Sequence, residues 1–302
     1  MHQPLPHNLA NHIRDLSTPM EPRPTDVAPK LDPLPGIRAV LFDVYGTLVI
    51  SASGDIGLAG ERDTTSAFAA AMEAAGIRTP PPTVGVSPAR LEQAIRTSHA
   101  QRRAAGTEFP EVDILAIWEE VLGDEVLPRG EVSASRDKLA QLAVEYECRV
   151  NPVWPMPGLA RLLADLRRRP LVLGIISNAQ FYTPLMLEGF LDAPLADLGF
   201  DAECCAWSYL LLEAKPATRI YQVALTGLDR VHDITPGEVL YVGNDLRNDI
   251  WPASLTGCRT ALFAGDARSL RLREADPRCA GVSPDCVITD LSQITDAILP
   301  VD

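Results

Sequence analysis

The sequence predicts an α/β protein: a doubly wound parallel sheet carrying an inserted, all-helical second domain. Three observations support this. Short apolar runs, too short for helices and ended by polar or glycine residues, recur along the chain and alternate with helical patterns. Residues 52–155 hold amphipathic helical patterns and no good strand. The residues that end the apolar runs include carboxylates, small hydroxyls and a lysine, as expected where ligands bind beyond the carboxyl ends of parallel strands.

Residues 1–35 contain eight of the 26 prolines and little periodicity, so an extended arm or partly ordered tail is expected. The first strand is Ile37–Asp43, stopped by Gly46. Four helices follow at 64–76, 87–105, 111–123 and 133–148. Ile114, Ile117, Trp118 and Val121 form one helical stripe, so Trp118 reads as core packing. The Pro-rich stretch Asn151–Gly158 reads as the return linker. Strands are then expected at 171–177, 239–243 and 259–263, with weaker candidates at 202–206 and 286–289. Helices at 157–169, 180–190, 216–227, 246–257 and 290–299 separate them. The domain boundaries are therefore 36–51 plus 156–302 for the sheet domain and 52–155 for the helical one, and no internal repeat is visible.

At 302 residues the length favours two domains. A hydrophobic fraction of 46% with 22% charged residues supplies a sizeable core and excludes wholesale disorder. Lys and Arg number 27 against 40 Asp and Glu, and the net charge of -13 disfavours nucleic acid and anionic lipid as partners. No apolar run approaches the roughly 20 residues that span a bilayer, and no signal pattern opens the chain, so no membrane is expected. The six Cys form no C-x-x-C pair and show no metal-like spacing with the five His. Zinc, haem and disulfide-scaffold classes drop out, and a reduced, cytoplasmic setting is expected.

The polar residues at strand ends fall in four groups: Asp43-Val-Tyr-Gly-Thr47, Ser177-Asn178, Lys215-Pro216 and Gly243-Asn-Asp-Leu-Arg-Asn-Asp249. Each alone is common, and Ser177-Asn178 could simply open a helix. In this order and at these places they are specific. The chain resembles the haloacid dehalogenase superfamily of hydrolases over about residues 36–51 and 156–302. The helical insert sits where that family carries its cap domain, and the implied core is a Rossmann-like sheet.

The resemblance implies roles. Asp43 matches the nucleophile, which forms an aspartyl ester with the substrate. Thr47 and Ser177 match hydroxyls that hydrogen-bond the transferring group. Lys215 matches a point charge between nucleophile and substrate anion. Asp249 matches the acid that orients a metal and its waters, and backbone N–H groups after Asp43 complete an anion nest. Tyr45, Gly46, Asn178 and Arg62 are the remaining candidates for substrate contact. Mg²⁺ would be held by Asp43, the Tyr45 carbonyl, Asn244 or Asp245, and Asp249.

Two positions depart from the family's phosphatases. Their general acid, two residues after the nucleophile, is replaced by Tyr45, and their metal-binding acid directly after the glycine is Asn244. The string Phe42-Asp-Val-Tyr-Gly-Thr-Leu48 is similar to that of 2-haloacid dehalogenases, which need neither a proton for the leaving group nor a metal. Equally, Tyr45 could pack beneath the cap. Three acids around one anionic substrate argue for a cation, so Mg²⁺-dependent hydrolysis of a small phosphorylated metabolite is expected first. An activated phosphoester or acyl phosphate is favoured, since losing a general acid costs about 10²–10⁴-fold in rate. The alternatives are a metal-independent 2-haloacid dehalogenase and a degenerate ligand-binding protein. Specificity is expected from a hairpin or flap at Ile50–Gly57 and from Arg62, Arg102 and Arg103, although solvated helix faces are the commoner setting for such arginines. Phe181 and Tyr182 are expected at the pocket border or capping the sheet.

Overall fold

The computed structural model describes residues 9–52, 64–77, 86–126 and 132–299. Six parallel strands run in the order β5-β4-β1-β6-β7-β8, with β1 Ala39–Phe42, β4 Val172–Ser177, β5 Phe200–Trp207, β6 Val239–Gly243, β7 Arg259–Phe263 and β8 Cys286–Ile288. All four β1 residues are fully buried, because helices cover both faces of a parallel sheet. Their alternation divides two cores. Val40 and Phe42 join the large cluster with α6 Leu159–Leu166 and the helical segment. Ala39 and Leu41 join the other, built on Ile220, Tyr221 and Ala224 of α9 Thr218–His232.

The strand order places the site. β1 pairs with β4 on one side and β6 on the other, with Phe42 opposite both Ile175 and Val242. The chain leaves this point in opposite directions, so the residues just beyond β1, β4 and β6 face one crevice.

Among the described residues, four helices lie between the first and second strands of the main sheet: α2 Thr64–Ala74, α3 Pro88–Ala104, α4 Ile114–Val126 and α5 Val132–Val150. Ser87 caps α3 by accepting the Arg90 N–H, with Pro88 at the first helical position. Trp118 packs between Phe68 and Tyr146, with ring centroids 5.5 and 5.6 Å away, so it belongs to the core as its stripe predicts.

Several elements differ from expectation. The Pro-rich return linker contains a strand, β3 Val153–Pro155, which pairs antiparallel with β2 Val49–Ser51 at the neck of the helical segment. The expected hairpin at 50–57 thus starts as one half of a pairing a hundred residues distant in sequence, and residues 53–57 lie outside the described residues. The helix expected at 246–257 opens as a π turn, Leu246–Ile250, before α10 Trp251–Leu255. That expected at 290–299 is only the turn Ile294–Ile298.

The arm differs most. Leu9–Leu16 forms a helix, α1, that buries Leu9 and Ile13 against α5 and α7 Tyr182–Leu191. Ala10 lies so close to Gly189 that an added Cβ there would come within 2.1 Å of its carbonyl oxygen. Residues 17–35 then cross to the far edge of the sheet, where Thr25 donates to the Ala264 carbonyl at 2.6 Å and Lys30 bridges to Val287. Packing supplies the order that periodicity did not announce.

The fold also gathers Asp201, Cys204 and His232, which no spacing suggests; His232 Nε2 and Asp201 Oδ2 satisfy each other at 2.7 Å. No helix among the described residues is long and apolar enough to cross a membrane.

Candidate active site

Asp43 follows β1 directly and is 5% exposed. Its Oδ1 accepts from Lys215 Nζ at 2.6 Å and from Ser177 Oγ at 3.1 Å. No described residue occupies Oδ2. A carboxylate pinned through one oxygen thus presents the other for attack.

Lys215 reaches this point because Asn178 holds its backbone, accepting the Lys215 N–H at 2.7 Å. Asn178 therefore positions the lysine; α7 begins only at Tyr182, so Ser177-Asn178 opens no helix. Lys215 Nζ also donates to Asp249 Oδ1 at 2.6 Å. Burial alone would lower the lysine's pKa, but Asp249 and Asp43 outweigh it and raise the value. Burial pushes Asp249 upward, against the pull of Lys215. Gly243 makes this approach possible, since an added Cβ would lie 2.4 Å from Asp249 Cγ.

The acids of the fourth group are fully engaged. Asp249 Oδ2 accepts the N–H groups of Asn244 and Asp245 at 3.0 and 2.9 Å, and Oδ1 lies 2.9 Å from the Tyr241 hydroxyl as well as on Lys215. Asp245 makes no hydrogen bond to Asp43, Ser177 or Lys215. Its carboxylate receives Arg273 Nε and Nη2 at 3.1 and 2.5 Å, and caps the π turn by accepting the N–H groups of Arg247 and Asn248. The cations that balance these acids are thus Lys215 and Arg273. The arginine sits 28 residues from its partner, where nothing local marks it. Tyr241 carried a fainter signal, a phenol inside an apolar strand.

Thr47 donates to Asn244 Oδ1 at 3.3 Å, and Asn244 Nδ2 donates to the Ser269 carbonyl at 2.6 Å. Gly46 sits at φ +83 beneath them, where an added Cβ would meet Ser269 Cβ at 2.5 Å. Its N–H is spent on the Val49 carbonyl, so it offers no donor to a substrate; the N–H groups of Val44 and Tyr45 make no hydrogen bond to another described residue.

The Tyr45 side chain enters the seam between α5 and α7. Its hydroxyl lies 3.0 Å from Thr183 Oγ1, beside a small cavity lined also by Glu147, Cys148 and Tyr182. Burial, reinforced by Glu147, raises its pKa, so the phenol stays protonated. Phe181 and Tyr182 meet edge to face with centroids 5.2 Å apart, and Tyr182 donates to Glu147 Oε2. Arg103 is exposed and Arg102 half-buried near the end of α3, and neither touches the site; Arg62 lies outside the described residues.

Mg²⁺ would find one free carboxylate oxygen here, on Asp43, with the Asn244 amide oxygen and the Tyr45 carbonyl. Turning Asp249 or Asp245 inward would strand a buried lysine, an arginine or backbone donors, at a cost of about 1–3 kcal/mol for each group. That donor set carries one negative charge, so a hard dication would be held there mainly through its own waters.

A buried carboxylate held by a lysine and a serine at the switch point of a parallel sheet is an arrangement for nucleophilic hydrolysis. The model of the haloacid dehalogenase-like hydrolases matches residues 37–256, and the chain belongs to that family. No curated protein matches it at a significant level. A 2-haloacid dehalogenase from Pseudomonas syringae pv. Tomato is similar in structure, with 21% identity and a TM-score of 0.53 over 86% of this chain and 97% of that one. L-2-haloacid dehalogenase from Xanthobacter autotrophicus (22%, 0.44, over 85% and 96%) and a phosphatase of the family from Thermococcus onnurineus (18%, 0.48, over 87% and 100%) are also similar. The likeness is one of fold, and the neighbours include both reactions. The chain is a hydrolase of this family with a doubly wound core.

Proposed function

We propose that this hydrolase displaces a halide from a small 2-haloacid through an Asp43 ester and without a metal, the helical segment 52–155 acting as its cap. The charge balance of the site carries this reading. Arg273 pairs with Asp245, and Lys215 is shared between Asp249 and Asp43, so two of the three acidic charges that argued for a cation are met from the chain. The phosphatase reading leaned on those acids being free.

The steps follow from the geometry. Asp43 Oδ2 attacks the halogen-bearing carbon; the carbon–oxygen bond forms as the carbon–halogen bond breaks, and the halide leaves with its electron pair. It needs no proton, which suits a site where the Tyr45 hydroxyl faces Thr183. In the ester, Oδ1 has become the carbonyl oxygen. The Lys215 and Ser177 donors, at 2.6 and 3.1 Å, then face the position where negative charge develops as water attacks Cγ. The alcohol oxygen takes one proton from the water and the other passes to solvent, releasing a 2-hydroxyacid and restoring Asp43. The N–H groups of Val44 and Tyr45 and the Arg62 side chain are proposed to meet the substrate carboxylate. Six unpaired thiols suit a reduced, cytoplasmic setting.

The test is chloride release from 2-chloropropionate in excess EDTA, expected at the same rate as with added Mg²⁺. Phosphate release from p-nitrophenyl phosphate that requires Mg²⁺, with no chloride release, would overturn the proposal in favour of the phosphatase.

A further inference from the structure

Lys215 must hold its ammonium 2.6 Å from two carboxylates at once, yet it sits on a segment with no regular structure of its own. That segment is held by the helical insert. Just before the lysine, the Leu212 carbonyl accepts the Glu111 N–H at 3.1 Å, Glu213 bridges antiparallel to Pro110, and Ala214 donates to the Phe109 carbonyl at 2.8 Å. Leu212 adopts φ +55, a conformation that costs a side chain energy and persists where the surrounding contacts impose it.

The Glu111 side chain extends the same contact into the core. Its Oε2 accepts from Ser208 Oγ at 2.9 Å, and its Oε1 accepts from the Val112 N–H at 2.9 Å and Gln180 Nε2 at 3.3 Å. Ser208 and Gln180 are 0% and 5% exposed. Ser208 Oγ in turn accepts the Ala179 N–H at 2.9 Å, next to the Asn178 that holds the Lys215 backbone. The Gln180 amide bridges back to the insert through the Ile114 N–H and the Val112 carbonyl, while its N–H donates to Thr183, the partner of Tyr45. Glu111 therefore ties the insert to both loops that bring Ser177 and Lys215 to Asp43, by its carboxylate through Gln180 and Ser208 and by its backbone N–H through Leu212.

We propose that Glu111 is a positioning residue that makes the reach of Lys215 depend on the seating of the helical insert. The proposal rests on Lys215 serving Asp43 in turnover, whichever substrate is used. Without the carboxylate, Ser208 and Gln180 each lose one acceptor, which loosens the 178–180 loop that holds the Lys215 backbone and the insert segment whose backbone holds residues 212–214. A displaced ammonium lowers the chemical step more than substrate binding, because it acts on charge that develops during reaction.

The test uses the full chain with Glu111→Ala, Glu111→Gln and a remote control, Asp285→Asn, which breaks an ion pair with Arg259 at the other side of the sheet. Amide hydrogen exchange is read at Ala179, Ala214 and Lys215, and kcat and KM on 2-chloropropionate, or on p-nitrophenyl phosphate with Mg²⁺ if only that is turned over. In Glu111→Ala these amides should exchange at least tenfold faster, and kcat should fall about 10- to 100-fold with KM within about threefold. Glu111→Gln, which keeps an acceptor for Ser208, should lie between this variant and the native protein. The control should lose Tm without losing kcat. Unchanged exchange in Glu111→Ala, or an equal loss of kcat in a control of equal Tm, would overturn the proposal. Should the native protein turn over neither substrate, the reaction reading fails and the exchange result alone decides the role of Glu111.

Discussion

Arg273→Leu isolates the charge balance on which the metal-independent reading depends. Arg273 reaches both oxygens of Asp245, and the two side chains are 26% and 8% exposed. Hydrogen bonds to a charged group contribute about 1.5–3 kcal/mol when buried; the partly exposed arginine reduces this to about 1–2 kcal/mol. For a chain of this size that loss lowers Tm by about 2–3 °C, measured calorimetrically. Adding Asp245→Asn should recover most of it, because no buried charge is then left without a partner. The freed carboxylate also lies one residue from Asn244. Mg²⁺ at about a hundred times its dissociation constant would return ~2.7 kcal/mol, so the ion should raise the Tm of Arg273→Leu and leave the native protein unmoved. A Tm rise of several degrees in the native protein with Mg²⁺, or turnover that stops in EDTA, would refute the argument that Lys215 and Arg273 leave the site no need of a metal ion.

Asp43→Asn removes the attacking charge at nearly constant volume; turnover should drop below about a hundredth of the native rate while the Tm holds, and a higher residual rate in a protein free of deamidation excludes the ester mechanism. Tyr45→Asp should create no alkyl phosphatase, because position 45 projects toward Thr183 and Glu147, and a second carboxylate there should lower Tm; selective gain on alkyl over aryl phosphates would show instead that a lost acid had been restored. Burial raises the Glu147 carboxyl above its ordinary 4.5 despite bonds from Asn151 and Tyr182. Its folded form holds a proton more tightly than the unfolded chain, so the stability it contributes is present below pH 4.5 and lost as pH rises through the folded value. Glu147→Gln should accordingly match the native Tm at pH 4 and exceed it at pH 8, and equal Tm differences at both would contradict the raised value.

The sheet was legible because burial on both faces leaves a mark that needs no partner: runs such as Val239–Gly243 are apolar throughout and too short for helices. Edge elements were harder. Val153–Pro155 is a strand only because Val49–Ser51 lies beside it, and a Pro-rich stretch shows no such pairing in advance. Helix α1 is short and its stability comes from contact with α5 and α7, which its own eight residues do not encode.

The site divides in the same way. Asp43, Ser177, Lys215 and Asp249 could be picked out in the chain, the first two because they end apolar runs and the others by the motif order of the family it resembles, and the fold then brings them together. What those residues do to one another was decided by the tertiary structure. Asp245 looks like a metal ligand in sequence and becomes a helix cap neutralised by Arg273; Tyr45 stands where phosphatases carry an acid and, of the two readings left open, packs into the α5–α7 seam. Both outcomes depend on which way a side chain turns and which distant charge meets it. The period and polarity of a chain determine which residues line up at a strand's end. Neutralisation is a property of pairs, and only folding chooses the partner.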